Sequence, residues 1–266
     1  MSDPSEPRFV FETATLTDVG CVRKVNEDSL LAAPESGLWL VADGMGGHAA
    51  GDFASQSIVA AMQTVGIPNG AIDLRARFMD RLIHANEQIL EHASDLGNGT
   101  IGSTVAALLV QQGHFATIWS GDSRVYRLRG GVLGQMTRDH TEVRALLDAG
   151  TITAAEAEAW PRKNVITRAI GVTAKPECDI HEGVLQDKDL FLICSDGLTE
   201  YFHDDELERV MVRFAADLNA LCAQLVATAL ERGGKDNVSI VAVRCNQVPL
   251  PEFQASGVYP EFGGYL

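Results

Sequence analysis

Two short apolar runs in this sequence stop abruptly at an aspartate that is followed by glycine. The first run covers 39–42 and leads to Asp43, and the second covers 191–194 and leads through a serine to Asp196. Runs of this length and composition are typical of strands that are buried on both faces. A carboxylate at the end of such a strand caps a helix, forms a turn or holds a cation. Two strands that end alike therefore predict carboxylates gathered at one edge of a sheet.

The first of these runs has a predicted hairpin partner. Residues 29–33 and 38–42 flank a segment, 34–37, whose proline, serine and glycine are typical of a turn. A symmetric hairpin about this turn sets Asp28 directly opposite Asp43, with their Cβ atoms about 5 Å apart. Like charges so close repel each other unless a cation lies between or beside them. The register therefore predicts a cation at this pair.

Two further aspartates fall at the ends of predicted strands. Asp236 precedes the last strand, and it meets Asp196 if the two strands are antiparallel neighbours. Asp122 lies in a turn between two other strands. Oxygen ligands select Mg²⁺ or Mn²⁺ rather than zinc, and a cluster this acidic has room for two ions. Two such ions activate water and clamp a phosphoryl oxygen, and Arg23 is the candidate cation for the remaining phosphate oxygens.

Each of these residues also has a simpler interpretation when it is taken alone. An isolated Asp-Gly pair is usually a turn, Asp122 suits a β-turn, and Arg23 suits a solvated loop. His48, which follows the glycine-rich segment after Asp43, is either a functional residue or part of a helix N-terminus without chemistry, and both interpretations stay open. The joint pattern favours a metal site over a set of unrelated turns.

The order of the predicted elements indicates an α+β fold. Short apolar strands joined by tight turns favour two stacked, mainly antiparallel sheets. The four longer helices come in two consecutive pairs, and each pair can cover one outer sheet face. We therefore predict a four-layer α-β-β-α sandwich with a small polar flap at 137–165. The predicted strands are 8–17, 29–33, 38–42, 103–110, 114–120, 124–129, 132–136, 177–184, 189–195 and 237–244, and the predicted helices are 50–65, 73–96, 203–214 and 217–231.

Charge and cysteine content limit the class of partner. The net charge of −15 argues against binding to nucleic acid or to anionic lipid, each of which requires a basic face. No stretch has the apolar length of a membrane span. The five cysteines are scattered without Cys-x-x-Cys spacing, which indicates reduced thiols. We therefore expect a cytoplasmic protein, monomeric, with no nucleic-acid or membrane partner.

Five short motifs occur in this order: Arg23-x-x-Asn26-Glu27-Asp28, 41–48 (VADGMGGH), 120–124 (SGDSR), 195–197 (SDG) and 235–237 (KDN). Together they resemble the bacterial metal-dependent serine/threonine protein phosphatases of type 2C, the PPM family. The resemblance covers about residues 10–245 and implies a single phosphatase domain at 8–245 with the sandwich above. It implies hydrolysis of phosphoserine and phosphothreonine by a metal-activated water, on substrates that include a Hanks-type kinase or its targets. The tail at 246–266 shows no hydrophobic period and is predicted to be irregular.

The resemblance implies a role for each metal-site residue. Asp43 is expected to bridge two Mn²⁺ or Mg²⁺ ions. The carbonyl of Gly44 is expected to bind one of them, and Asp196 and Asp236 the other. Asp122 matches the position that, with Asp196, binds a third and weaker metal ion in bacterial members.

The resemblance also implies roles for residues around the metal ions. Glu27 and Asp28 are expected to hold metal-bound waters, and Arg23 is expected to grip the substrate phosphate. In eukaryotic members a histidine that directly follows the Asp-Gly pair is proposed as the general acid, but Met45 occupies that place here. The acid is then either His48, three residues further on, or a metal-bound water.

Three other functions stay open at this point. A pseudophosphatase would keep the fold as a binding scaffold, although its mark, the loss of a metal aspartate, is not found. A phosphoesterase of another class, such as a nuclease, is disfavoured by the acidic charge. A sensor domain would bind metal without turnover and use the flap as its partner surface. The tail is a tether, a docking segment or an inert extension.

Overall fold

The computed structural model describes residues 8–46, 50–97, 99–162 and 164–248. The strands in these ranges are β1 (Arg8–Asp18), β2 (Asp28–Ala33), β3 (Leu38–Met45), β4 (Gly102–Ser103), β5 (Val105–Gln111), β6 (His114–Ser120), β7 (Arg124–Arg129), β8 (Val132–Gln135), β9 (Asp179–Val184), β10 (Leu190–Cys194) and β11 (Val238–Val248). The helices are α1 (Gly51–Gln63), α2 (Ala71–Asp95), α3 (Glu142–Asp148), α4 (Ala154–Glu158), α5 (Asp196–Thr199), α6 (Asp204–Phe214) and α7 (Leu218–Glu231). None of the described helices has the length and apolarity needed to cross a membrane.

The described strands form two antiparallel sheets that stack face to face. One sheet has the strand order β1-β11-β10-β7-β8, and the other has the order β2-β3-β5-β6-β9, with β4 paired to the end of β3. One apolar layer lies between the sheets, a second lies under α1 and α2, and a third lies under α6 and α7. The predicted four-layer α-β-β-α sandwich is therefore confirmed.

The strands at the centre of the sandwich explain the uninterrupted apolar runs in the sequence. In β3, Leu38 and Leu40 face the α1–α2 layer, whereas Trp39 and Val41 face the layer between the sheets. All four side chains are completely buried. Each buried side chain of this size stabilises the fold by about 1.5–3 kcal/mol. A strand that contributes to two cores has no solvent-exposed face, so polar residues enter only at its end.

The pairing predictions that place the aspartates are confirmed. In the β2–β3 hairpin, Asp28 pairs with Asp43 and Ala33 pairs with Leu38, which is the register expected for a turn at 34–37. Strands β10 and β11 are antiparallel neighbours, with Cys194 opposite Ile240. The end of β10 and the start of β11 therefore lie at the same edge of their sheet.

Several predicted elements differ from the structure in extent: β3, for example, continues through Asp43 to Met45 instead of ending at 42. The last strand continues to Val248, beyond the predicted end at 244 and into the predicted irregular tail, because its final residues pair with the start of β1 at Arg8–Val10. The predicted strand 103–110 is interrupted at Thr104, whose backbone amide bonds Asp43. Helix α5 was not expected, since four residues are too few to show a helical period.

The predicted flap consists of two short helices on a closed base. Thr141 caps α3, and Thr153 caps α4 in a capping box with Glu156. A β-bridge between Thr141 and Ile166 joins the two ends of the segment. This base anchors the flap beside the strand ends that carry the aspartates.

Candidate metal and phosphate site

Each of the two Asp-Gly pairs lies where a strand end packs tightly against a neighbouring segment. A Cβ atom on Gly44 would lie 2.0 Å from the carbonyl oxygen of Gly51, at the start of α1, and one on Gly197 would lie 2.0 Å from that of Asn237. Neither of these two pairs is a left-handed turn, because neither glycine has a positive φ. The glycines are required for close approach, which fixes the aspartate before each of them.

Asp28 lies beneath the cleft and connects the two sheets. Its side chain is 8% exposed, and its Oδ2 accepts a hydrogen bond of 2.8 Å from the hydroxyl of Ser195. The Ser195 oxygen in turn accepts a bond of 3.0 Å from the Ser239 amide. Oδ1 of Asp28 has no partner among the described residues. An unpaired buried oxygen costs about 1–3 kcal/mol, so this atom favours a water or cation beside it.

Thr104 links Asp43 to the turn that carries Asp122. Its hydroxyl accepts a hydrogen bond of 3.1 Å from the Asp43 amide and shares another of 2.7 Å with the Ser123 hydroxyl. Its own amide donates to the Asp43 carbonyl at 2.8 Å. Gly121, before Asp122, has a φ of +108°, a conformation that favours glycine. Asp122 is thereby held beside Asp43 with only 8% of its surface exposed.

Arg23 and Glu27 lie on the loop between β1 and β2, which Asn237 holds against the start of β11. The side-chain nitrogen Nδ2 of Asn237 donates to the carbonyl oxygens of Val19 and Val25, at 2.9 and 3.0 Å. Its side-chain oxygen accepts a bond of 2.8 Å from the Glu27 amide. One buried side chain thus satisfies three backbone groups and sets the position of the loop.

Arg23 contacts Asp236 directly. Its Nη2 lies 2.6 Å from Oδ2 of Asp236, and this bond raises the pKa of the arginine. The two side chains are 49% and 34% exposed, so the pair is worth at most about 1 kcal/mol. A cation at Asp236 and an anion at Arg23 can therefore replace this contact at little cost.

The predicted residues at the strand ends line a single cleft of about 220 Å³. Asp28 lies under this cleft rather than on its wall. His48 falls outside the described residues, whereas Met45, in the place of the eukaryotic histidine, lies on the wall. The wall includes Arg23, Glu27, Asp43, Gly44, Met45, Thr104, Asp122, Asn164, Ile166, Asp196 and Asp236.

Burial and mutual repulsion raise the pKa of the clustered carboxyl groups. Burial is the largest cause for Asp43, whose pKa lies well above its usual range, and the charges of Asp28 and Asp196 raise it further. Burial, with the neighbouring aspartates, also raises the pKa of Asp28 to about 7, that of Asp196 to about 6 and that of Asp122 to about 8. The cleft therefore disfavours ionisation of its carboxyl groups, and among the described residues of its wall Arg23 is the one cation that faces them.

The donor chemistry of this cluster fits hard divalent cations. In the described part of the chain, no three His, Cys, Asp or Glu side chains already surround a metal position. Arg23 engages Asp236 through a hydrogen bond of 2.6 Å. A bound cation would give Oδ1 of Asp28 a partner, directly or through a water, and would favour the ionised form of the neighbouring carboxyl groups. The oxygen donors of the cleft therefore fit Mg²⁺ or Mn²⁺.

Four residues that the sequence analysis assigned no role help to build the site. Thr104 and Ser195 bond the aspartates, and Asn237 bonds the loop of Arg23. Asn164, from the flap, reaches the cleft wall. Ser195 and Asn237 adjoin two of the aspartates in sequence, which is a usable signal, whereas Thr104 and Asn164 join the site only through tertiary packing.

A family model of protein phosphatase 2C matches residues 22–232. The chain belongs to the protein phosphatase 2C family. The matched range contains four of the five aspartates, and Asp236 follows it by four residues. The match to the type 2C family thus covers most of the described residues.

Similar proteins include bacterial serine/threonine phosphatases. This type 2C chain is 37% identical over 239 residues to the serine/threonine protein phosphatase PstP of Mycobacterium tuberculosis. The match covers 88% of this chain but 45% of PstP, so the chain spans less than half the length of that relative. Among solved structures, PppA, described as a regulatory component of T6SS in Pseudomonas aeruginosa, has 40% identity and a TM-score of 0.81, covering 90% of this chain and 100% of PppA.

A second solved structure contains metal. The catalytic domain of PstP in complex with two manganese ions is 33% identical to this type 2C chain, with a TM-score of 0.79 over 90% of this chain and 100% of that one.

Proposed function

We propose that this chain is a metal-dependent protein serine/threonine phosphatase that hydrolyses phosphoserine and phosphothreonine. The observation that carries the proposal is the convergence of Asp43, Asp122, Asp196, Asp236 and Arg23 on one acidic cleft. The similarity to PstP, a serine/threonine protein phosphatase, supports the same reaction.

The carboxylates of the cleft would hold two Mn²⁺ or Mg²⁺ ions. Asp43, the Gly44 carbonyl, Asp196 and Asp236 would hold these two ions, with Asp43 shared between them, and Asp122 would serve a third. The ions supply a Lewis acid for the phosphoryl oxygens and a nucleophilic water near neutral pH. The manganese pair in the PstP catalytic domain supports this stoichiometry.

The chain's own residues position the substrate phosphate and the metal ligands. Arg23 is half-exposed at the mouth of the cleft, where its planar guanidinium can take two phosphate oxygens once Asp236 is engaged elsewhere. Asn237 fixes the loop of Arg23 and Glu27, and Ser195 fixes Asp28. Asp28 and Glu27 would hold water molecules at the metal ions from below and beside the cleft.

The flap borders a second cleft that continues from the acidic one. This cleft has a volume of about 330 Å³, shares Asp122, Asn164 and Asp196 with the first, and has Val143 and Leu147 of α3 on its wall. A peptide whose phosphate lies at Arg23 can extend into it. We infer that the flap contacts the residues beside the phosphorylated position.

We further infer that the substrates are cytoplasmic phosphoproteins, among them a Hanks-type kinase or the targets of one. The five cysteines are free thiols, which supports a reducing compartment. A monomer remains our prediction.

Turnover of p-nitrophenyl phosphate and of a phosphothreonine peptide tests the proposal. We expect Mn²⁺-dependent hydrolysis that EDTA removes and that Asp236→Ala lowers about a thousand-fold, because a metal ligand is lost. Asp205→Ala, at an exposed aspartate on α6, is the matched control. If the wild type shows no metal-dependent turnover above Asp236→Ala, the enzymatic function is rejected in favour of a scaffold. Metal binding without turnover would favour the sensor domain.

Replacement of Arg23 by alanine is expected to raise the KM for the phosphopeptide about ten-fold to a hundred-fold. Loss of a charge-assisted hydrogen bond to phosphate costs about 1.5–3 kcal/mol, which corresponds to this range. The Mn²⁺ affinity, measured by calorimetric titration, should change far less. Lys24→Ala removes the same charge from the neighbouring exposed residue and should leave both quantities unchanged. An equal loss of Mn²⁺ affinity in Arg23→Ala would instead make Arg23 a structural residue.

A further inference from the structure

An open apolar groove lies on the outer face of the six-stranded sheet, beside α2. Helices α1 and α2 pack mainly on β2, β3 and β5, and the described helices cover only partly the start of β6 and the end of β9, at Ala116 and Val184. The resulting space has a volume of about 670 Å³. We name it the α2–β9 groove and define it by Ile72, Met79, Leu109, Ala116 and Val184.

The groove exposes apolar side chains that the described fold does not use. Ile72 is 88% exposed and Val184 is 57% exposed. Polar groups stand at the rim, where Arg75 pairs with Glu182 at 3.1 Å. An apolar surface with a polar rim is typical of a site that binds another segment or protein.

The groove lies at the opposite end of the fold from the acidic cleft. Strand β6 begins at His114 in the groove and ends at Ser120, next to the turn of Asp122. Seven residues of strand span about 20 Å. The length of β6 therefore separates the groove from the metal ligands.

The chain leaves the described fold next to this groove. The amide of Gln247, one residue before the end of β11, donates a hydrogen bond of 2.8 Å to Asp187. Asp187 follows Val184, on the groove wall, by three residues, which span at most about 10 Å. Residues 249–266 extended would reach about 60 Å, so a small part of that length is enough to reach the groove.

The composition of 249–266 suits an apolar groove. Four of its eighteen residues are aromatic, whereas aromatic residues make up 6% of the whole chain. Each aromatic side chain buries about 150–250 Å² when it packs, which is the main source of binding free energy in such contacts. Three prolines favour an extended backbone that fits a groove. The aromatic residues are Phe253, Tyr259, Phe262 and Tyr265.

We propose that residues 249–266 dock in cis in the α2–β9 groove, with their aromatic side chains against Ile72, Met79 and Val184. A tethered segment has an effective concentration on the order of millimolar, so even a weak site is occupied. The proposal is independent of the phosphatase reaction, because the groove is remote from the cleft.

Hydrogen–deuterium exchange of the full chain tests this docking. One variant replaces the four aromatic residues of 249–266 with serine, and a second carries Ile72→Glu with Val184→Glu in the groove. We expect the start of α2 and strand β9 to exchange about three-fold faster or more in both variants, because the covering segment is lost. Val132→Glu, at a 67% exposed valine on β8 in the other sheet, is the matched control and should change neither segment.

Further measurements separate the other outcomes. Chymotrypsin should cleave 249–266 faster in the groove variant than in the wild type, while turnover of p-nitrophenyl phosphate is equal in all variants. Unchanged exchange in the four-serine variant overturns the proposal. Protection that increases with protein concentration, with a dimer in sedimentation, also overturns it in favour of a second copy. The four-serine variant changes only residues outside the described fold, so it remains informative if the groove variant fails to fold.

Discussion

Asparagine in place of Asp43 is expected to abolish metal-dependent turnover and, at the same time, to stabilise the metal-free protein. Turnover falls because a neutral amide cannot balance two divalent cations at a bridging position. A metal ion contributes several kcal/mol to charge stabilisation in the transition state, and a loss of about 4 kcal/mol corresponds to about a thousand-fold in kcat. The backbone amide of Asp43 donates to the Thr104 hydroxyl and its carbonyl accepts from the Thr104 amide, and the substitution leaves both bonds intact.

The gain in metal-free stability follows from the surroundings of the same side chain. Burial and the charges of Asp28, Asp196 and Asp122 disfavour an ionised Asp43 in the folded state, whereas the unfolded chain ionises it freely. Asparagine removes this cost, and we expect a gain of about 1–2 kcal/mol. Each kcal/mol shifts the melting temperature of a domain of this size by about 2–4 °C.

Calorimetry in EDTA and turnover with Mn²⁺ measure the two effects together. Asp80→Asn, at an exposed aspartate on α2, is the matched control and should change neither quantity. If Asp43→Asn lowers the melting temperature in EDTA, the carboxylate supports the metal-free fold and the cluster is not strained. If it keeps wild-type turnover, Asp43 is not a metal bridge.

The positions of the aspartates were predictable because they depend on local patterns. The turn at 34–37 fixes the register of its hairpin, and that register alone sets Asp28 opposite Asp43. The pairing of β10 with β11 follows from antiparallel geometry, which sets Asp196 near Asp236. Buried strands, their ends and tight turns all have signals within ten residues.

The packing around the aspartates was not predictable, because it joins segments that are far apart in the sequence. Thr104 reaches Asp43 from a strand sixty residues away, and Asn237 holds a loop more than two hundred residues away. The Asp-Gly glycines suggested turns, but Gly44 is required by a carbonyl of α1 that no local pattern reveals. The sequence contains the ligands, whereas the fold determines what holds them.

The metal-free protein is expected to lose stability as the pH rises from about 5 to about 8, and Mg²⁺ is expected to restore it. Asp196, Asp28 and Asp122 have folded-state pKa values of about 6, 7 and 8, all above their unfolded values near 4. Between about pH 4 and pH 8 the folded state binds more protons than the unfolded state, so the free energy of unfolding falls as the pH rises. The contribution of these three groups to the free energy of unfolding is fully present below about pH 4. It is lost as the pH rises through their folded-state pKa values.

The expected slope is on the order of 1 kcal/mol per pH unit, which is the effect of about one net proton. A divalent cation binds the ionised carboxylates, so the rise in melting temperature on adding Mg²⁺ should be small near pH 5 and largest near pH 8. Scanning calorimetry at both pH values, with EDTA or with Mg²⁺, measures this difference.

Asp122→Asn should reduce the slope in EDTA, because it removes the group with the highest of the three pKa values. A melting temperature in EDTA that rises with pH over this range would contradict the prediction. It would mean that the folded state stabilises the ionised carboxylates without a cation.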